Sequence, residues 1–222
     1  TLFKTPGTKG APCWIWNSLA SKAYDDGFDY FYQLNDDIEF VTKCWATQLV
    51  SSLRDSDRPY FGIAGPRDGN NDIVMTQSFV HRTHLDVFDG MYYPTVFKNW
   101  YSDNWANRVY GKKNTHHKLD ILVNNRQNLG TRYTEHREAL LDLEPELKFG
   151  RVLIRQWLLN RNSHNIALDD ADDDVPQRDM FLLQEQQLSP QRIYFQEMEE
   201  RKKAWESEEG LSSTMNWLWI LD

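Results

Sequence analysis

Residues Phe28–Phe40, FDYFYQLNDDIEF, decide the fold. Phe28, Tyr30, Tyr32 and Leu34 alternate with Asp29, Phe31 and Gln33. That two-residue period is a strand's, and here both faces carry bulky side chains. The strand runs straight into three polar residues, Asn35-Asp36-Asp37. Upstream, residues 11–24 (APCWIWNSLASKAY) read as a helix. Pro12 suits its first turn. Trp14, Leu19 and Ala23 fall near one face at helical spacing. Behind Asp25-Asp26, Gly27 suits a C-terminal cap.

Outward from this unit, helix and strand keep alternating. Thr42–Arg54 reads as a second helix, Asp55–Pro59 as a turn, and Tyr60–Ala64 as a short strand ending at Gly65-Pro66. RDGNND, residues 67–72, is a polar loop. Ile73–Arg82 reads as a strand, followed by a short helix from Thr83, with Thr83 and Asp86 spaced as a capping box. A turn over Asp89–Pro94, a helix in the later part of Asn99–Tyr110, a strand over Leu119–Asn124, and helices over Glu135–Leu143 and Leu147–Asn160 complete the pattern. Such alternation over residues 11–160 predicts an α/β layered domain. Cys13 and Cys44 sit in the two predicted helices among apolar neighbours and are expected as buried thiols.

Composition then changes. Residues 169–174 read DDADDD, a block of like charge that behaves as a solvated linker. It lacks the glycine and terminal Glu of a helix–loop–helix calcium site. The expected organisation is an α/β core over 1–165, an acidic linker over 166–176, and a mostly helical, Glu/Gln-rich extension over 177–222 with a Trp-rich tail. That tail is expected to fold back onto the domain or to dock on a protein partner.

Several function classes are excluded or disfavoured by the arithmetic. In 222 residues, 25 Lys and Arg face 33 Asp and Glu, a net charge of −8. An acidic chain of this kind is a poor general nucleic-acid binder. Its 2 cysteines are too few for a disulfide scaffold or a structural zinc site. No run approaches the roughly 18 apolar residues of a membrane span. The chain opens at Thr1 without an initiator Met or a signal segment, and is expected to be a processed or excised piece. Localisation stays open between the Golgi or ER lumen and the cytoplasm, although no Asn lies in an Asn-x-Ser/Thr sequon. Aromatic content is high, with 9 Trp, 10 Tyr and 11 Phe.

Two features point to chemistry. In α/β sheets ligands gather outside the carboxyl ends of strands, where Asn35-Asp36-Asp37 is expected. Clustered carboxylates need solvent or a cation, and a hard ion such as Mg²⁺ or Mn²⁺, often shared with substrate phosphates, meets that need. A solvated turn is the simpler alternative. Downstream, Asp103 is surrounded in sequence by Trp100, Tyr101 and Trp105. Aromatic walls suit sugar faces, and low polarity raises a carboxylate's pKa toward that of a general base. A capped helix start in an aromatic core is the alternative.

Taken together and in this order, the motifs resemble the nucleotide-diphospho-sugar transferase superfamily, the glycosyltransferases of the GT-A fold. The matching pieces are Asn35-Asp36-Asp37 in place of an Asp-x-Asp motif, then Phe79-Val80-His81-Arg82, Leu85-Asp86-Val87-Phe88, Gly90, Tyr92-Tyr93-Pro94, Phe97, Asp103 and Arg108. They cover residues 11–125. The resemblance implies a partial GT-A, Rossmann-like mixed sheet flanked by helices, with the N-terminal nucleotide-binding strands missing from this chain. It implies Asp37 as direct ligand of the Mn²⁺ or Mg²⁺ that bridges the donor diphosphate, with Asn35 or Asp36 by the ribose or the water shell of the metal. Asp103 would be the base of an inverting transfer from a nucleotide-sugar donor to a glycan or protein acceptor. Trp100, Tyr101 and Trp105 would shape the acceptor side. His116 and His117, with His136 behind them, are candidates to complete the metal shell. Arg132, in Gly130-Thr131-Arg132-Tyr133, is a candidate for the diphosphate. A different class remains open: a catalytically degenerate, GT-A-like structural or interaction subunit, held in a complex through 177–222. A carbohydrate-binding module rests on aromatic content alone.

Overall fold

The structure, a computed structural model, describes residues 10–71, 73–126 and 134–161, and the backbone of 217–221. Its elements in chain order are α1 (Pro12–Asp25), β1 (Tyr30–Leu34), β2 (Ile38–Phe40), α2 (Trp45–Arg54), β3 (Ile63–Asp68), β4 (Ser78–His81), α3 (Thr83–Val87), α4 (Ser102–Val109), β5 (Thr115–Asn125), α5 (Leu140–Arg161) and β6 (Trp217–Leu221). Five strands form a mixed sheet in the order β2-β5-β3-β4-β1, and β6 joins its β1 edge. β4 runs antiparallel to both β1 and β3, while β5 is parallel to β3. β1, β3 and β5 therefore point the same way. The predicted α/β class holds. No described helix is long and apolar enough to cross a membrane.

Helices cover both faces of the sheet. On one, Phe31, Ile63 and Val80 pack against residues of α1, α3, α4 and α5, including Trp16, Leu85, Trp105 and Leu147. On the other, Tyr32, Ala64, Phe79 and Ile121 pack against Leu49 and Leu53 of α2. β1 thus buries side chains on both sides, as its sequence predicts. Where α4 meets α5, a Cβ on Gly150 would stand 2.7 Å from a methyl of Val109, so the contact admits only glycine there.

Several boundaries differ from the expectation. β3 runs through Gly65 and Pro66 instead of stopping before them. Proline lacks the N–H that an interior strand needs. The ladder accommodates it with a register shift after Pro66, which lets β5 bulge between Lys118 and Leu122. Thr42, read as helical, instead holds that bulge: its hydroxyl accepts the Leu122 N–H at 2.8 Å. α2 accordingly begins at Trp45, and Cys44 is exposed at its start with a positive φ of 56°; only Cys13 is a buried thiol. β4 is shorter than Ile73–Arg82, because Asn71 Oδ1 accepts the N–H groups of Ile73 and Val74 in a side-chain-closed turn. The capping box does not form. Thr83 Oγ1 bonds His81 Nδ1, and Asp86 accepts from Tyr24 OH.

The two helices expected on either side of Pro145 are one, α5. The proline deletes a single bond, to the carbonyl of Leu141, and Leu141 is exposed, so water replaces the donor. Of the expected 177–222 extension, the Trp-rich tail is described at Trp217–Leu221, a strand that lies back on the domain and pairs with β1 from Tyr30↔Leu221 to Leu34↔Trp217. The acidic linker over 166–176 and the remainder of 177–222 lie outside the described residues.

Candidate functional site

Because β1, β3 and β5 share a direction, their carboxyl ends lie on one edge of the sheet. The turn after β1 carries Asn35, Asp36 and Asp37, with Asp36 exposed and its neighbours partly buried. The Asp37 carbonyl accepts the N–H of Arg126 at 2.8 Å, tying this turn to the end of β5. Arg126 in turn pairs with Glu39 at 2.8 Å and holds that carboxyl below its usual range. The pair is fully exposed and contributes little to stability.

The loop after β3 adds a second set of polar groups. Asp68 is buried, accepting from the Asn70 N–H at 2.9 Å and from the Thr76 hydroxyl at 2.7 Å. Asn70 Nδ2 donates to the carbonyl of Asn125 at 2.6 Å. Gly69 donates to the Val123 carbonyl, and a Cβ there would come within 2.5 Å of Asn124 Oδ1. The ends of β3 and β5 are thus laced together beside Asp37. Asp68, Asn70 and the run Asn124-Asn125-Arg126 were not among the expected site residues. Their signal was present: like Asn35-Asp36-Asp37, they are polar runs at the carboxyl end of an apolar strand.

Asp103 reaches the same edge by another route. It lies in the first turn of α4, after Tyr101, whose φ is +68°. Four residues on, Asn107 clamps Met75 from both sides: its Oδ1 accepts the Met75 N–H and its Nδ2 donates to the Met75 carbonyl, each at 3.0 Å. Met75 leads into β4, whose first residue Ser78 lies opposite Gln33 of β1. Burial raises the Asp103 carboxyl above its usual range, against a backbone N–H from Asn104 that lowers it. Burial raises the Tyr93 phenol and the Cys13 thiol, with the charge of Asp103 a smaller contribution in the same direction. Tyr93 OH donates to Gln33 Oε1 at 3.0 Å and meets Ser78 Oγ at 2.9 Å. Tyr93 also stands 6.5 Å, centroid to centroid, from Trp105 on the same helix α4, so the helix that carries Asp103 packs against the ring that reaches Gln33.

The other expected site residues divide. Trp100 is partly exposed, with the guanidinium of Arg137 5.2 Å from its ring centroid, and its ring lies 5.9 Å from that of Tyr101. Trp105 does not belong with them. It is 1% exposed, stands edge-on to Phe88, and spends its indole N–H on the Glu146 carbonyl. The spacing of helix α4 turns it inward. His116 and His117 begin β5, opposite Ala64 and Gly65. The carboxyl end of β5 lies about five strand steps away, roughly 17 Å, so the structure does not bring these histidines to Asp37. His136 donates its N–H to Asn99, beside Trp100. Arg132 lies outside the described residues.

As donors, Asp36 and Asp37 with the neighbouring amides are all oxygen groups. Among the described residues no three His, Cys, Asp or Glu side chains gather into a cation site. A Mg²⁺-type ion does not require such a cage, because it keeps waters and takes one or two carboxylates plus substrate phosphates. The donor set fits that mode of binding. Comparison with family models, with curated proteins and with solved structures returns no match for this chain.

Proposed function

We propose that this chain transfers a sugar from a nucleotide-sugar donor to a hydroxyl of a glycan or protein acceptor. The observation that carries the reading is the polar Asn35-Asp36-Asp37 turn at the carboxyl end of β1 together with a pKa-raised Asp103 on α4, the helix whose Asn107 clamps Met75 just ahead of Ser78, opposite Gln33. Asp37, with Asp36 beside it, would hold Mn²⁺ or Mg²⁺. When bound, the cation neutralises charge on the leaving nucleoside diphosphate.

Asp103 does the proton work. Its carboxylate, partly withdrawn from water, takes the proton of the acceptor hydroxyl, and its raised pKa makes it a stronger base than an exposed aspartate. Tyr93 stays protonated, since burial holds its phenol well above 10, and so remains a donor that fixes Gln33. The partly exposed rings of Trp100 and Tyr101, 5.9 Å apart, are the aromatic surface against which an acceptor sugar would lie. Attack from the Asp103 side gives inversion at the anomeric carbon.

The test is thermal unfolding of the chain with Mn²⁺ and each of the common nucleoside diphosphates. A ligand that binds only the folded state, at a hundred times its Kd, adds about 2.7 kcal/mol. A metal-dependent rise in Tm with one nucleotide is the expected result. Mn²⁺ and every nucleotide leaving Tm unchanged would overturn the reading in favour of a non-catalytic subunit.

A further inference from the structure

β1 is an unusual strand to find beside a sheet edge. Phe31, Tyr32, Gln33 and Leu34 are at most 4% exposed, covered by α1 on one face and by the α2 layer on the other. Strands buried on both faces belong inside sheets. Its inner edge is satisfied by β4. Its outer N–H and C=O groups would lie between two covered faces with no partner unless another strand met them. Trp217–Leu221 meets them over all five residues, antiparallel and without a register break. That segment, WLWIL, carries no charge and no proline, a composition that demands a paired and covered place. Each strand thus solves the other's problem.

The register gives this pairing a consequence for the site. Leu34, the last residue of β1, lies opposite Trp217, so the ladder runs up to the residue before Asn35. On the other side of β1, Gln33 is opposite Ser78 and receives the Tyr93 hydroxyl. The take-off direction of the Asn35-Asp36-Asp37 turn is therefore set by two neighbours, β4 and β6. We propose that Trp217–Leu221 is a positioning strand for the candidate cation site: it fixes the outer edge of β1, and metal–diphosphate binding at Asp37 depends on its being docked. This rests on the transferase reading above.

Coupling of this kind is reciprocal, since a strand that favours ligand binding is itself favoured by the bound ligand. The experiment uses the full chain with Mn²⁺ and whichever nucleoside diphosphate raises its Tm. Hydrogen exchange of the amides of 30–34 and 217–221 is measured with and without that ligand. Exchange should slow in both segments on saturation. Alongside, L218P/W219P places prolines at two adjacent ladder positions, so that whichever parity faces β1 loses its N–H. This variant should keep its cooperative unfolding transition and lose tenfold or more in affinity for the Mn²⁺–nucleotide pair. A peptide spanning 216–222, made soluble with lysines, should restore binding in trans; restoration separates positioning from a general loss of fold. If the variant fails to fold, the exchange data on the unaltered chain decide. Unchanged exchange over 217–221 at saturation, or undiminished affinity in a folded L218P/W219P, overturns the proposal while leaving the transferase reading standing. Absence of any nucleotide binding by the unaltered chain sinks the transferase reading, and this proposal with it.

Discussion

The two edges of the sheet are built from similar residues and hold them in different ways. At the carboxyl edge, Asp37, Asp68, Asn70, Asn125 and Arg126 come from separate strands and are tied together through backbone groups, with Asp103 brought in by α4. At the amino edge, Asp29 pairs with Arg82, Tyr24 donates to Asp86, and His81 lies against Tyr30 and Tyr60. There the charged groups pair with one another at the surface and answer each other's charge. At the carboxyl edge Asp37 lies in a turn tied by its backbone carbonyl to β5, and Asp103 lies in the first turn of α4. The amino edge is closed mainly by side-chain pairs, whereas the carboxyl edge is tied mainly through backbone groups, with the exposed Arg126–Glu39 pair beside them.

This contrast can be broken by experiment. Asp37→Ala should reduce metal-dependent transfer below detection and remove Mn²⁺-dependent stabilisation by nucleotide. A variant that keeps both removes the carboxyl edge from consideration. Asp103→Asn should cost about 10²–10⁴ in kcat, the range for general acid–base catalysis, with nucleotide binding retained. Equal losses of binding and turnover would instead make Asp103 a structural residue of α4.

His84, in α3 just after the amino-edge residues His81 and Arg82, sharpens the comparison. It is fully buried, its Nε2–H donating to the Tyr92 carbonyl and its Nδ1 accepting from Tyr110 OH, both at 2.9 Å. Burial lowers its pKa to about 4. The neutral form is the one folded, so its contribution is complete above about 6.5, the unfolded value, and is lost as pH falls toward 4. About 3 kcal/mol of pH-dependent stability follows from that shift. Denaturant unfolding at pH 7 and pH 4.5 should show a smaller difference for His84→Gln than for the unaltered chain; an identical difference refutes the assignment.

Smaller effects follow. Trp100→Ala should raise the acceptor KM about tenfold, the order of one lost aromatic contact, with the nucleotide-sugar KM unchanged. At the amino edge, the double change His116→Ala/His117→Ala should leave metal-dependent binding within twofold. A large loss there would make the two edges one site and end the contrast.

Much of this is legible in the sequence. Helix α1, the Gly27 cap at φ +89°, strand β1 and the polar turn after it all depend on residues within a few positions of one another. Periodicity and cap chemistry are local and survive in sequence. The reading fails where a distant partner overrides local preference. Gly65-Pro66 has the composition of a strand exit, yet β4 and β5 on either side hold it within the sheet, at the cost of a bulge. Trp100 and Trp105 lie three residues before and two after Asp103, but packing against α5 turns Trp105 into core and leaves Trp100 partly exposed.

The sequence by itself determined the layered α/β class, the doubly buried strand, the acidic turn at its end, and an aspartate in an aromatic setting. These follow from spacing along the chain, which short-range sterics and hydrophobic pattern convert into helix or strand. Only the tertiary structure decided which polar residues share an edge. The sense of each strand depends on pairing with strands far away in sequence, and that sense put Asn124, Asn125 and Arg126 beside Asp37 while sending His116 and His117 to the opposite end. It likewise decided that Trp217–Leu221 lies against β1, because an outer edge in need of hydrogen bonds exists only once the sheet has formed.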